Sequence, residues 1–169
     1  QGATGMSALA DGDFFGASVA LDGDRLAVGA LYDDTGGTDR GAVYLFTGVG
    51  TDFSGLTYQK KLASGQGATG MPALADDDFF GRSVALDGDR LAVGAPYDDT
   101  GSTDRGVVHL FTGTGTDFSG LTYQKKLAST QGATGMPELA DGDVFGASVS
   151  LDGDRLAVGA DGDDTGGTY

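Results

Sequence analysis

The sequence contains no cysteine and no tryptophan, and it has a single histidine, His109, and a single glutamate, Glu138. Without cysteine, a nucleophile would have to be serine, threonine or aspartate, whereas the absence of disulfides fits any cellular compartment. No apolar run approaches the roughly 20 residues that a membrane-spanning helix needs. The chain starts Gln-Gly-Ala-Thr without the basic and apolar segments of a signal peptide, so we expect a mature product or a fragment.

Positive charge is also scarce. Ten lysines and arginines stand against 25 acidic residues, which gives a formal net charge of −15. Nucleic-acid binding requires a basic stripe and docking on anionic lipid requires a basic patch, so we expect no nucleic-acid partner and no membrane insertion. All the acidic residues except Glu138 are aspartates. Turns and sites for hard cations favour this shorter acid.

The main feature of the sequence is an internal repeat. Residues 1–65 align with residues 66–130 without a gap and differ from them at nine positions, and residues 131–169 begin a third copy. Self-similarity at a fixed period is typical of architectures in which each copy forms one structural unit. We therefore divide the chain into repeat 1 (1–65), repeat 2 (66–130) and the partial repeat 3 (131–169), all within one domain.

Each full repeat carries four strand patterns. In repeat 1 they are Phe15–Leu21, Arg25–Ala30, Ala42–Phe46 and Leu56–Leu62, and the turn pair Asp22-Gly23 joins the first two into a hairpin. No segment shows sustained helical periodicity. Four strands per repeat predict an all-β chain of β-propeller blades, each of four antiparallel strands, in about two and a half 65-residue repeats. A β-solenoid is the rival, but solenoids usually have shorter periods and lack the hairpin pattern.

The distribution of side chains fits a propeller. The first two strands carry small residues, which suit crowded positions near the axis, and the third carries larger ones such as Tyr44 and Phe46 for the wider gap further out. Lysines on the fourth strand would discourage edge-to-edge pairing of outermost strands. Since propellers close with roughly 4–8 blades, two and a half repeats are expected not to close alone. The chain could be a fragment of a longer propeller, a subunit of an oligomer or filament, or a truncated product.

Two short motifs recur at fixed places in the repeats. Phe15-Gly16 stands at the start of the first strand and Gly29-Ala30 ends the second, and repeat 2 has Phe80-Gly81 and Gly94-Ala95-Pro96. These motifs resemble the FG-GAP repeat, which forms the N-terminal propeller of integrin α subunits and occurs in bacterial surface and secreted proteins. The resemblance implies an extracellular or cell-surface location and a module for adhesion or protein–protein interaction. Integrin blades hold calcium in a longer first hairpin; the turn here, 21–25, is too short to wrap an ion.

Aspartates cluster on a different face. The loop after the second strand and the connection before the first strand meet at one end of each blade, and both are rich in aspartate. Calcium takes about 6–8 oxygen ligands from such loops, so one calcium ion per blade is the functional prediction; solvated, turn-forming aspartates are the alternative. The candidate ligands are Asp11, Asp13, Asp33, Asp34, Asp39, Asp76, Asp78, Asp98, Asp99, Asp104, Asp141, Asp143, Asp161, Asp163 and Asp164.

An enzyme is not expected. His109 replaces Tyr44 of repeat 1, which indicates a packing or surface exchange, and the carboxylate pairs recur in every repeat, whereas a catalytic site is usually built once. The expected function is a non-enzymatic, extracellular, calcium-binding module for adhesion or protein–protein interaction. The alternatives are a structural subunit of a self-assembling extracellular polymer and an accessory domain of a larger secreted enzyme. Expected partners are other propeller blades or copies of the chain, and possible ligands are a protein or a glycan.

Overall fold

The computed structural model describes residues 5–6, 8–48, 52 and 54–165. Those residues form ten β-strands and no helix, and accordingly no helix that could cross a membrane occurs among them. The strands are β1 (Phe15–Asp22), β2 (Arg25–Ala30), β3 (Ala42–Thr47), β4 (Thr57–Leu62), β5 (Ser83–Asp87), β6 (Arg90–Ala95), β7 (Val107–Thr112), β8 (Thr122–Leu127), β9 (Phe145–Asp152) and β10 (Arg155–Ala160).

The strands form three antiparallel sheets that follow the repeats. Their orders are β1-β2-β3-β4, β5-β6-β7-β8 and β9-β10, and we call them blades 1, 2 and 3. This confirms the predicted all-β blades. The predicted strand bounds in repeat 1 are correct to within one residue. In blade 2 the first strand begins only at Ser83, whereas in blade 1 it begins at Phe15 and continues through a bulge before Ser18.

The first hairpin turns one residue later than predicted. Asp22 pairs with Arg25, so the loop residues are Gly23 and Asp24 rather than Asp22 and Gly23. Gly23 has a φ of 57°, while Asp24 is not in the positive-φ region. A positive φ at the first loop residue only is the geometry of a type II′ turn, which matches the twist of the flanking strands. Aspartate at position 22 is thereby free to pair with Arg25.

The blades stack through their innermost strands. β5 contacts β1 on one side and β9 on the other, and β4 and β8 lie at the outer edges of their sheets. The predicted arrangement, with small residues inside and lysines on the last strand, is therefore confirmed. We call the sheet face that packs on the next blade along the chain the front face, and the face towards the preceding blade the back face.

The core lies between these faces. Ala27, Val43 and Leu45 on the front face of blade 1 belong to the same buried cluster as Leu91 and Phe111 on the back face of blade 2. Blade 2 packs on blade 3 in the same way, with Ala92 and Val108 against Val149, Leu151 and Leu156. Small front residues against large back residues let the sheets approach closely, as tight interior packing requires.

Candidate functional site: aspartate loops and an aromatic row

Asp33 in blade 1 is the best-defined carboxylate of the aspartate loops. It is 2% exposed, and its two oxygens receive hydrogen bonds from three groups. The Tyr44 hydroxyl donates over 2.8 Å, the Thr35 backbone N–H over 2.9 Å, and the Lys61 ammonium lies 2.5 Å away. Lys61 also donates to the Thr35 hydroxyl and sits over the Tyr44 ring. A buried carboxylate is tolerated only with such pairing.

These contacts decide the ionisation of Asp33. Burial by itself would raise the pKa of Asp33, but hydrogen bonds from Lys61, Thr35 and Tyr44 outweigh it and leave that pKa below its usual value. The same burial, together with the hydrogen bond to Asp33, raises the pKa of Tyr44 far above its ordinary range. Asp33 is therefore ionised and Tyr44 is protonated at neutral pH, which is the state in which Tyr44 donates.

Lys61 reaches the place where the calcium prediction puts an ion. A cavity of about 220 Å³ is lined by Asp13, Asp33 and Asp34 together with the Lys61 and Tyr44 side chains. The sequence reasoning treated the lysines of the fourth strand only as protection of an outer edge. Side chains alternate between the faces of a strand, so the adjacent lysines Lys60 and Lys61 must lie on opposite faces of the sheet, and the structure pairs Lys61 with Tyr44.

Blade 2 repeats this arrangement with one exchange that weakens it. His109 stands in the place of Tyr44 and is 1% exposed, and neither of its ring nitrogens has a hydrogen-bond partner among the residues that the structure describes. It packs edge-on against Phe80 at 5.3 Å between ring centroids, which confirms a packing role. Lys126 approaches Asp98 only to 4.0 Å, although the Thr100 N–H still donates to Asp98 over 2.7 Å.

Two buried groups of blade 2 have strongly displaced pKa values. Burial, followed by the negative charge of Asp98, raises the pKa of Asp78 to about 7. Burial lowers the pKa of His109 to about 4, against the opposing attraction of Asp98. Asp78 accepts a hydrogen bond from the Ala75 N–H at 2.7 Å, which offsets only part of the cost of burying its charge. Asp78 is thus protonated more readily than an ordinary aspartate.

Asp78→Asn should make the chain more stable at pH 8 and change it little at pH 4. The groups that face Asp78 are Asp98, Asp99 and Lys126. Because the folded pKa lies above the unfolded value of 3.8, the parent loses stability as pH rises through about 7. The variant lacks this loss, so its advantage should grow by up to roughly 1.4 kcal/mol per pH unit between these values. Urea unfolding from pH 4 to 8 measures it.

The control for that experiment is Asp13→Asn, the same substitution at the same position of blade 1, where the Ala10 N–H donates over 2.8 Å. It shows how much of the effect comes from replacing the acceptor of a backbone amide. His109 also contributes to the pH dependence of stability. Its contribution is lost as the pH falls from its unfolded pKa of 6.5 towards its folded pKa of about 4, and it is common to the parent and both variants. Parallel stability curves for Asp78→Asn and the parent would show that Asp78 is not the raised carboxyl.

Two arginines join consecutive repeats. Arg40 Nε donates to Asp76 Oδ1 over 2.7 Å, and Arg105 Nε donates to Asp141 Oδ1 over 2.8 Å. Among the described residues, the arginines therefore pair with the next repeat and not with Asp39 and Asp104, their immediate neighbours in the sequence. Asp39 and Asp104 adopt positive φ angles of 49° and 52° within the loop, and their N–H groups donate to the carboxylates of Asp34 and Asp99, five residues earlier.

The remaining candidate ligands are mostly parts of turns. Asp34 and Asp99 accept the N–H groups of Asp39 and Asp104, and Asp143 is buried and accepts from the Ala140 N–H. In the part of the chain that the structure describes, no group of three or more histidine, aspartate or glutamate side chains is placed to hold a metal ion. Calcium binding stays a prediction. Asp11, Asp161, Asp163 and Asp164 are exposed, as are Asp34 and Asp99, and Asp163 accepts a hydrogen bond from the Thr165 N–H.

An aromatic row crosses the loop face of blades 1 and 2. It consists of Phe14, Tyr32, Phe79 and Tyr97, whose rings meet edge to face with centroid distances of 4.9, 5.0 and 5.0 Å. Phe14 is 63% exposed and Tyr97 is 40% exposed. Each member lies directly beside an aspartate in the sequence. Blade 3 interrupts the pattern, because Val144 and Gly162 occupy the equivalent positions.

The backbone of the row is strained. Phe14 and Phe79 have φ angles of 52° and 54°, in a region that bulky residues rarely adopt. Strain of this kind is typical of functional loops, and exposed aromatic rings are typical of protein interfaces. The sequence reasoning missed the row. Its trace in the sequence is the doublet Phe14-Phe15, in which only one phenylalanine can face the core of a strand.

The four-stranded blades define a propeller-type repeat protein. A comparison with protein families matches the FG-GAP repeat over residues 7–46, 74–111 and 137–169. The chain therefore belongs to the FG-GAP repeat family, as the resemblance in its motifs indicated. Repeats of this family are typical of extracellular and surface proteins and of modules that take part in protein interaction. A search of curated proteins finds no match.

Proposed function

We propose that this chain is a non-enzymatic, extracellular or cell-surface module that binds a protein partner through the aromatic row. The observation that carries the proposal is the row itself: four aromatic side chains in contact, two of them well exposed and two at strained backbone positions. Aromatic anchors contribute most of the binding energy at protein interfaces because they bury large areas with little loss of side-chain freedom.

The charge around the row indicates the chemistry of the partner. Asp34 and Asp99 are exposed on the loops that carry Tyr32 and Tyr97, and the whole chain has a net charge of −15. A basic protein segment would be attracted over a distance by this field. Arginine suits the row in addition because its guanidinium stacks on aromatic faces and pairs with carboxylates.

A non-enzymatic role is supported by the use of the polar groups. The Asp33 carboxylate is surrounded by donors from its own blade, and His109 is buried against aromatic rings. Calcium is not needed for this proposal. In blade 1 an ion that binds Asp33 would have to displace Lys61, so Lys61→Met is the variant in which calorimetric titration with calcium would be most informative.

Binding should be tested with defined peptides. The probes are peptides in which arginine alternates with glycine, matched by peptides of equal length with aspartate in place of arginine. We expect the basic peptides to shift NMR signals of Tyr32, Phe79 and Tyr97, and Tyr97→Ala to weaken binding about tenfold, which corresponds to about 1.4 kcal/mol. Thr116→Ala, at the opposite end of blade 2, is the control. Equal binding of acidic and basic peptides, or unchanged binding by Tyr97→Ala, contradicts the proposal.

Self-assembly is the second candidate function. The observation that favours it is a sheet face on blade 1 that no described strand covers, whose counterpart on blade 2 is buried under a neighbouring blade.

A further inference from the structure

The back face of blade 1 is an exposed copy of a buried surface. Val19 and Leu21 are each 62% exposed and Phe15 is 37% exposed. Their counterparts in blade 2, Val84, Leu86 and Phe80, are 8%, 8% and 0% exposed. The residues are identical in the two blades, so the difference arises from what covers them: the front face of blade 1 covers blade 2, and no described strand covers blade 1.

The exposed face also contains an apolar cavity. A cavity of about 330 Å³ lies on it, and its lining is apolar: Met6, Leu9, Phe15, Leu26, Val28, Phe46 and Leu56. At the equivalent place on blade 2, the apolar residues are in one buried cluster with Ala27, Val43 and Leu45 of the preceding blade. The internal repeat therefore indicates that the front face of another blade of the same kind fits on this surface.

At each junction between two blades, a backbone carbonyl of one blade contacts a serine and a glycine of the other. We call this contact the polar lock, and it fixes the register of the junction. The Gly81 carbonyl of blade 2 accepts a hydrogen bond of 2.7 Å from the Ser18 hydroxyl of blade 1, and a Cβ added to Gly29 would lie 2.0 Å from that carbonyl oxygen. The carbonyl thus enters a notch formed by a serine and a glycine. The second junction repeats this, since Gly146 accepts from Ser83 over 2.8 Å and lies 2.0 Å from a Cβ on Gly94.

The chain also contains the carbonyl and the serine–glycine notch that a further polar lock would require. Gly16 occupies in blade 1 the position of Gly81 and Gly146, and Ser148 with Gly159 occupies in blade 3 the position of the serine–glycine notch. The three atoms nearest to a Cβ on Gly159 all belong to Ser148, at 2.4, 3.6 and 3.8 Å, so among the described residues no carbonyl fills that notch. Ser148, Ser150 and Ala157 on the same face are exposed.

We propose that a second copy of the chain covers the back face of blade 1, with the front face of its blade 3 as the docking surface. The Gly16 carbonyl of one copy enters the Ser148–Gly159 notch of the next, and the apolar side chains Phe15, Val19 and Leu21 pack on β9 and β10. This contact is heterologous, because it joins two different surfaces, and it generates rings or filaments. It deepens the self-assembly function proposed above and does not depend on the aromatic row.

Two variants block the two halves separately. Leu21→Lys places a charge on the exposed back face of blade 1. Gly159→Ala fills the notch of blade 3, where its own chain leaves room except for the rotatable Ser148 hydroxyl. Thr57→Lys, on the exposed outer strand β4, is the matched control for the added charge. Circular dichroism and thermal melts would establish whether each variant is folded.

The measurement is sedimentation velocity of the 169-residue chain at increasing protein concentration. It is made at 0.5 M salt, which screens the repulsion between copies. We expect the weight-average mass of the parent and Thr57→Lys to rise at least twofold with concentration. Leu21→Lys and Gly159→Ala should each stay monomeric, and an equimolar mixture of the two should form dimers only, because one intact junction remains between them.

Three outcomes would overturn the proposal. A parent that stays monomeric throughout shows that a second copy does not occupy the face. Association that survives Gly159→Ala shows pairing through another surface, such as the edge of β10, which has one strand neighbour in the described structure. A mixture that remains monomeric while the parent associates shows that the two surfaces do not bind each other. Peptide binding at the aromatic row is unaffected by all three, so the two proposals fail separately.

Discussion

Gly94→Ala should destabilise the chain by about 3 kcal/mol, at the upper end of the range for overpacking a core. Gly94 lies in β6 where the carbonyl of Gly146 in blade 3 enters its notch, 2.0 Å from the position of a Cβ. That oxygen belongs to the backbone of a packed blade and cannot rotate away. The blades must separate to admit the methyl group, which opens the apolar contact between them. A loss of this size corresponds to a fall in melting temperature of roughly 6–12 °C.

Gly159→Ala is a stringent control because the chain supplies the same sequence context. Arg-Leu-Ala-Val-Gly-Ala forms β2, β6 and β10 alike, so the intrinsic change in strand propensity is the same at Gly94 and Gly159. Only the neighbouring blade differs, because within the described part of the chain the atoms nearest to a Cβ on Gly159 belong to Ser148 of the same blade. We expect Gly159→Ala to change stability by less than about 1 kcal/mol. Equal effects of the two substitutions in thermal melts would show that blade contact does not determine the cost.

Lys61→Met should destabilise blade 1 by about 3 kcal/mol at pH 7. Removing one partner of a buried ion pair leaves the other charge without compensation, which costs more than the pair itself contributes. The Asp33 side chain is only 3% exposed, and Tyr44 and Thr35 would be left as its donors. Methionine keeps the length and apolar stem of lysine, so the loss of packing is small. Chemical unfolding of the variant and the parent gives the difference.

The pH dependence of this effect has a definite sign. The pKa of Asp33 in the folded chain lies below 3.8, so its contribution is present above that value and is lost as pH falls through the folded pKa. The destabilisation by Lys61→Met should therefore shrink in acid. Lys126→Met is the matched control: Lys126 lies 4.0 Å from Asp98 and is more exposed, so we expect at most about 1 kcal/mol. A larger effect at Lys126 than at Lys61 would refute this account.

Much of the fold could be predicted because the repeat multiplies each local pattern. β2 was predicted from alternation and turn chemistry with its exact bounds, and the other strands of blade 1 within one residue. The first hairpin was misplaced by one residue, because Asp-Gly and Gly-Asp both occur in Leu-Asp-Gly-Asp-Arg and only the pairing of Asp22 with Arg25 selects between them.

The candidate site was predicted less completely. The sequence placed aspartates from two loops at one end of each blade, and Asp13, Asp33 and Asp34 do line one cavity there. It did not indicate that Arg40 reaches Asp76 of the next repeat or that Lys61 reaches Asp33, because both contacts join residues more than 25 positions apart. The aromatic row was missed for the same reason, since Tyr32 touches Phe79 across a blade boundary.

The sequence by itself determined the class of fold, the length of the repeat, the family and the position of most strands. These follow from local periodicity, turn residues and motifs, which act within a few residues of chain and recur in each copy. Only the tertiary structure decided which identical residues are buried and which are exposed. Val19 and Val84 have the same neighbours in sequence, yet one is 62% exposed and the other 8%. Burial depends on the adjacent blade, and that blade lies beyond the reach of any local pattern.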